Sequence, residues 1–231
     1  LPVEYFSRSA CSGQTVDCVE AVVKKTSKIK NENWTFWKSV AWDEELRVIS
    51  YDEESNSLIT VENGEQDLSA IFKTNLKTGD RRLVYKHDTV DIGTVLVDEE
   101  GAVFGTTLMD GYLSWVFFKV ENKEKDRIKE IGAKFPGSNI SILSISDKED
   151  KMTFTVSSDI NPGIHFLFDL NSAELTPLGK FWGSIDESKL SYMEPISFNA
   201  SDGTTIHGYL TKSAKGNSRN SPTIVHPHGG P

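Results

Sequence analysis

Cysteine is nearly absent from these 231 residues: Cys11 and Cys18 are the whole complement. Two thiols build neither a thiolate metal cage nor a disulfide framework, and whether this pair is free or joined locally stays open at the level of sequence. No stretch approaches the roughly twenty apolar residues that a membrane-spanning helix needs. The start, Leu1-Pro2-Val3-Glu4, lacks the charged-then-apolar pattern of a secretory signal, and it lacks an initiator Met. The expectation is a chain that begins within a longer protein or after processing. Positive charge is in deficit, with 25 Lys and Arg against 34 Asp and Glu and a formal net charge of -9. Nucleic acid and anionic membranes would be repelled, so neither is expected as a partner. A cytoplasmic location is expected, with export to the periplasm or beyond as the alternative.

What is present is enough for a core. Hydrophobic residues make up 37% and charged residues 26%, which suits one large or two small globular domains. From Val40 to about Lys180, β-branched and aromatic runs alternate with Asp, Asn, Gly and Lys clusters, the signature of short strands and polar turns. One unit runs Leu46 to Tyr51, Leu58 to Val61, Leu68 to Leu76 and Arg81 to Tyr85. The next runs Thr94 to Val97, Ala102 to Thr107, Tyr112 to Val120 and Arg127 to Ile131. A third runs Ile140 to Ile145, Met152 to Val156, Ile164 to Leu170 and Glu174 to Leu178. The first-turn acids Asp52, Asp98 and Asp147 stand 46 and then 49 residues apart. Four short strands at that period predict an all-β fold, a partial β-propeller of four-stranded blades, with a β-sandwich as the alternative.

In this reading the charged segment Asp126 to Glu130 is an outer strand whose charges discourage edge pairing. Val16 to Lys25 is either the end of an earlier blade or a short helix, and Trp34, Phe36 and Trp37 begin the packing of the next blade. The acidic runs Asp43-Glu44-Glu45 and Asp52-Glu53-Glu54 read as solvated turns, because neither follows calcium-loop spacing. The five Trp residues read as core or inter-blade packing.

The densest chemistry lies at the end. Thr223-Ile224-Val225 is β-branched and too short for a helix, and it reads as a buried strand of a parallel sheet. It leads into His226-Pro227-His228-Gly229-Gly230-Pro231. Two glycines after a strand let backbone approach a ligand and aim N–H groups outward, as a carbonyl oxyanion requires. His226 and His228 alternate as zinc ligands on a strand do, but Pro227 and the turn spoil that geometry, so no metal and no cofactor is expected.

Upstream stand Glu194-Pro195-Ile196-Ser197-Phe198, the turn residues Asp202-Gly203, and Gly208-Tyr209-Leu210. This order, followed by the strand and His-Gly-Gly-Pro, resembles the prolyl oligopeptidase family of serine peptidases, most of all its acylaminoacyl-peptidase branch. The resemblance implies residues 1–190 as a partial propeller of about three full blades and one partial blade. It implies 191–231 as the first strands of an α/β-hydrolase domain. Seven or eight blades close the ring in that family, so upstream blades are either missing here or packed differently.

By the same resemblance, Gly230 donates its backbone N–H to the oxyanion, Gly229 permits the tight turn and His228 shapes the pocket wall. The triad Ser, Asp and His would follow Pro231, and no Gly-x-Ser-x-Gly elbow occurs within the chain. The 231 residues are therefore expected to be inactive alone. In the parent protein a short peptide is the substrate, filtered by the propeller, and the missing hydrolase domain or a homo-oligomer is the partner. The alternatives are a non-catalytic propeller that binds proteins and, less well supported, a lipase or esterase that uses His-Gly-Gly.

Overall fold

The computed structural model describes residues 3–9, 18–25, 35–41, 44–63, 67–98, 100–146, 148, 150–214, 216 and 221–227, with only backbone pairing for the strands before Trp37. The chain divides into two compact units, Leu1–Ile131 and Gly132–Pro231.

In the first unit, β1 (Val3–Ser9), β2 (Cys18–Lys25) and β3 (Thr35–Ala41) form an antiparallel sheet in sequence order. The ambiguous stretch from Val16 is thus a strand from Cys18 onward, as its valines at 19, 22 and 23 favour. Trp37 belongs to this earlier sheet, on β3, and packs against Val40 and Leu46. Trp34, Trp42 and Cys11 lie outside the described residues.

A four-stranded meander follows: β4 (Leu46–Asp52), β5 (Ser57–Glu62), β6 (Ala70–Asn75) and β7 (Arg81–Lys86). Each strand pairs with its neighbour in sequence because tight polar turns join them. Asn75 makes one such turn by accepting from the backbone N–H groups of Lys77 and Thr78, each at 2.9 Å, and Gly79 takes the positive φ of 79° that the return requires. Every residue of β5 is buried, so this central strand is covered on both faces. Ile59, Val61 and Ile71 on one face meet Val95 and Leu108 of the next sheet, and Ile92 of the connection leading to it, in one core. That next sheet is β8 (Val95–Val97), β9 (Val103–Asp110) and β10 (Tyr112–Phe117). Face-to-face stacking of successive meanders is how propeller blades build a core.

The expected fourth strand of this sheet, Arg127 to Ile131, is instead part of a helix, α1 (Lys123–Lys134). Local chemistry explains the difference. The Asn122 side chain accepts from Lys125 N at 2.8 Å as an N-cap, Glu124 and Asp126 occupy the first turn and Lys134 the last. Ile128 and Ile131, three residues apart, share one buried face, which is helical and not strand spacing. Asp126, Lys129 and Glu130 lie on the exposed side of a helix, not on a sheet edge, and Arg127 is largely buried.

The second unit holds β11 (Asn139–Ile145), β12 (Lys151–Ser158), β13 (Asn161–Asp169) and β14 (Leu175–Lys180), again an antiparallel meander in sequence order. Its core is Ile140, Met152, Phe154, Val156 and Phe168, and Phe135 packs on Phe154 and Phe166 with ring centroids 6.2 and 5.1 Å apart. After a short 3-10 turn at Glu187–Lys189 comes a two-stranded hairpin, β15 (Met193–Asn199) and β16 (Thr205–Thr211). No helix among the described residues is long and apolar enough to cross a membrane.

Candidate functional site

The hairpin forms where the sequence placed it. Gly203 takes a φ of 89° at the turn, Asp202 accepts from Thr204 N at 2.9 Å, and Ala200 N donates to Thr204 O at 2.8 Å. Register puts Glu194 opposite Leu210, Pro195 opposite Tyr209 and Ile196 opposite Gly208. The backbone N–H of Met193 donates to Asp159 Oδ2 at 2.7 Å, tying the hairpin base to the β12–β13 turn.

The strand beyond the hairpin differs from expectation. Residues 221–227 take no regular structure, and Ile224 and Val225 are 93% and 85% exposed. A parallel strand is stable only between neighbours and under covering helices, and the described residues supply neither. His226 is exposed on this segment. The proposed oxyanion residues His228, Gly229 and Gly230 lie outside the described residues.

An open cleft of about 590 Å³ lies beside the hairpin, lined by Ile160, Leu190, Tyr192, Glu194 and Lys212 among others. Glu187, which also lines the cleft, pairs with Lys180 at 2.8 Å, and Lys212 Nζ stands 2.7 Å from Glu194 Oε2, with both side chains about half exposed. Such a pair holds the hairpin ends together only weakly, on the order of 0–1 kcal/mol.

Two hydroxyl–imidazole pairs lie within hydrogen-bond reach among the described residues: Thr89 Oγ1 stands 3.3 Å from His87 Nδ1 in an exposed turn, and the other pair is shorter and half-buried. Thr155 Oγ1 lies 2.8 Å from His165 Nδ1 across β12 and β13. The His165 ring stands edge-on to Phe181 at 5.7 Å, and among the described residues no carboxylate hydrogen-bonds to its other nitrogen. Without an orienting acid or oxyanion donors, this is a cross-strand hydrogen bond and not a nucleophile and its base. Sequence reading assigned His165 no role, and alternation along the two strands would have been the only signal for the pairing. His87 accepts from Thr89 N at 3.4 Å, and His207 sits exposed on β16. No group of three or more metal-binding side chains occurs among the described residues.

Of the Asp52-Glu53-Glu54 run, Glu53 and Glu54 are exposed as expected, and Asp52 is not. Asp52 is buried, accepts from Ser55 N at 3.0 Å and pairs with the Lys73 ammonium. Burial alone would raise its pKa; the bonds from Lys73 and Ser55 outweigh burial and hold it below the ordinary carboxylate value.

Antiparallel meanders stacked face to face in the first unit, with a further four-stranded meander and a hairpin in the second, define the fold as part of a β-propeller. The particular form is that of prolyl oligopeptidase family peptidases, as solved structures show. Prolyl oligopeptidase B from Galerina marginata superposes with a TM-score of 0.55 at 11% identity, over 92% of this chain and 30% of that one. A puromycin-hydrolysing peptidase of Mycobacterium tuberculosis gives 0.53 at 12% identity, over 93% and 32%. A structure from work on two prolyl endopeptidases gives 0.51 at 10% identity, over 85% and 29%. The chain thus spans about a third or less of the length of the structures it matches. No family model and no curated protein matches the sequence.

Proposed function

We propose that the chain is the propeller-side portion of a serine peptidase of the prolyl oligopeptidase type, with 191–231 as the first strands of its α/β-hydrolase domain. The observation that carries this is order. Blades come first, then the Met193–Thr211 hairpin with its Asp-Gly turn, then an apolar triplet and His-Gly-Gly-Pro. The parent protein acts on short peptides, and the blades restrict access to its active site. His228, Gly229 and Gly230 line the oxyanion hole, where the Gly230 N–H contributes roughly 3 kcal/mol to the transition state. The nucleophile, acid and base lie beyond Pro231, so the 231 residues bind or filter and do not cleave.

The test is to read the natural protein past Pro231 and to assay both forms on acylated and proline-containing short peptides. A Gly-x-Ser-x-Gly elbow followed by Asp and His, with activity in the longer protein only, supports the reading. Turnover by the pure 231-residue chain, or a natural protein with no such elbow, overturns it. The second of these outcomes leaves a propeller that binds other proteins.

A further inference from the structure

The fourteen residues Lys73–Lys86, spanning the second half of β6, its turn and β7, carry five cations and one acid in a chain whose formal net charge is -9. In the ladder Lys73 stands directly opposite Arg82, and Thr74 opposite Arg81. Like charges set opposite each other on neighbouring strands cost stability. Charges on an edge strand such as β7 oppose pairing with another chain, but that does not account for Lys73, which lies on β6 between β5 and β7. A cavity of about 330 Å³ opens at this point, lined by Ser55, Ser57, Lys73, Asn75, Arg81 and Arg82. Asp80 stands there too, its carboxylate accepting from the Thr78 hydroxyl at 2.8 Å.

The groups around the cavity differ in what they still need. Ser57 and Asn75 are committed, donating to the Ser55 carbonyl at 3.1 and 2.8 Å. Arg81 is turned to Glu62 and Phe72. Lys73, whose side chain is 17% exposed, pairs with Asp52, and an ammonium has three protons to give. Arg82 is exposed and has no hydrogen bond or ion pair with any described residue. The Ser55 hydroxyl is cut off from water and has no hydrogen-bond partner among the described residues either. Buried hydroxyls ordinarily have one, so the cavity is bordered by donors still to be satisfied.

We propose that this cavity binds a tetrahedral oxyanion, either phosphate or the phosphoryl group of a phosphomonoester. An anion between Lys73 and Arg82 turns their mutual repulsion into shared attraction. The planar Arg82 guanidinium offers two parallel N–H donors to two of its oxygens. Lys73 adds a second ammonium proton while keeping Asp52, and the Ser55 hydroxyl supplies a neutral donor. A phosphoryl group carries about -1.5 to -2 charges at neutral pH, which answers two cations where a carboxylate answers one. This inference is independent of the peptidase reading.

The test is calorimetric titration of the full 231-residue chain with inorganic phosphate and, separately, with O-phosphoserine, at constant ionic strength. Saturable one-to-one binding is expected. The dissociation constant should rise at least about tenfold in Arg82→Ala and stay within about twofold in Lys86→Ala, whose lysine lies on the same strand but outside the cavity. Without ligand, Arg82→Ala should unfold at the wild-type urea concentration or above it, because the opposition to Lys73 is gone. Tighter binding of O-phosphoserine marks a phosphomonoester as the occupant and tighter binding of phosphate marks the free ion, and either result upholds the site. No saturable binding of either probe up to about 10 mM overturns it. So does equal weakening in Arg82→Ala and Lys86→Ala, which would show diffuse attraction to a basic hairpin. If Arg82→Ala does not fold, Arg82→Gln, which keeps most of the side chain's bulk, takes its place.

Discussion

The ammonium of Lys38 on β3 lies 2.5 Å from Glu62 Oε2 at the end of β5, joining two sheets through a carboxylate that is 1% exposed. Arg81 from β7 reaches the same oxygen at 2.9 Å, and the Thr60 hydroxyl donates to Oε1 at 2.6 Å. The Arg81 guanidinium also stacks over Phe72, 3.5 Å from the ring centre. A buried charge persists only when paired and hydrogen-bonded, and here each carboxylate oxygen has a donor. Glu62→Gln is expected to cost about 1–3 kcal/mol in urea unfolding, because Lys38 and Arg81 are partly exposed and can turn to water. No change in the urea midpoint would show that the three groups do not act together.

The same site makes the first unit sensitive to acid. Burial pushes the Glu62 pKa up, but the Lys38 and Thr60 bonds and the Arg81 charge outweigh it and hold the pKa below the ordinary value. Asp52 is shifted the same way. A depressed carboxylate pKa stabilises the fold above the unfolded-state value, about 4 for these side chains, and this contribution is lost as pH falls through the folded value. The urea midpoint should therefore drop steeply below about pH 4. The drop should be shallower in Glu62→Gln, and parallel acid limbs in the two proteins would refute the linkage.

Gly101 joins β8 to β9 at a φ of 82°, and a Cβ added there would lie 2.4 Å from the Tyr51 carbonyl oxygen on the neighbouring sheet. Ser50 holds the contact by donating its hydroxyl to Gly101 O at 2.7 Å. Both backbone conformation and space exclude a side chain, so Gly101→Ala should destabilise by about 2 kcal/mol or more. Gly79, with a similar φ and open space around its Cα, is the control: Gly79→Ala carries the conformational cost alone and should lose less. Equal losses would mean that the Tyr51 contact yields freely.

The strands were legible because each is short, β-rich and bounded by turn residues whose side chains make the turn themselves, as Asn75 and Asp202 do. The helix α1 was not, because Asp126-Arg127-Ile128-Lys129-Glu130 alternates charge as an edge strand does and the repeat demanded a fourth strand there. Its signal was the Asn122 cap with acids in the first turn, a local pattern that outweighed the period. The buried roles of Asp52 and Glu62 were equally hidden, since their partners come from strands far apart in sequence. The hairpin was legible from Asp202-Gly203. The strand at 223–225 was not formed, because a strand of that kind depends on neighbours that its own residues cannot supply.

That cap gives a direct test of the helix. Asn122→Ala removes the acceptor for Lys125 N and the donor to Asp98 Oδ2 at 3.3 Å. The expected loss is about 1–2 kcal/mol, with Asn122→Ser recovering most of it because a hydroxyl caps comparably. If the residues formed a strand, neither substitution would change stability in this pattern, and Ser would offer no rescue.

The hairpin and the segment after it should be the least protected part of the described chain. Met193, Ile196, Phe198, Ile206, Tyr209 and Leu210 are each at least 39% exposed, so the hairpin has ladder bonds but little apolar burial. A two-stranded hairpin without a packed face is marginal in water. Amide exchange in the isolated chain should be fastest at 221–225, intermediate across β15 and β16, and slowest in β5 and β12, whose side chains form the cores. The proposed hydrolase domain would reverse this order locally: in a longer protein the same hairpin amides should slow by at least about tenfold, because burial of those six side chains stabilises the ladder. Equal exchange in the two forms would show that this face is not where the rest of the protein packs.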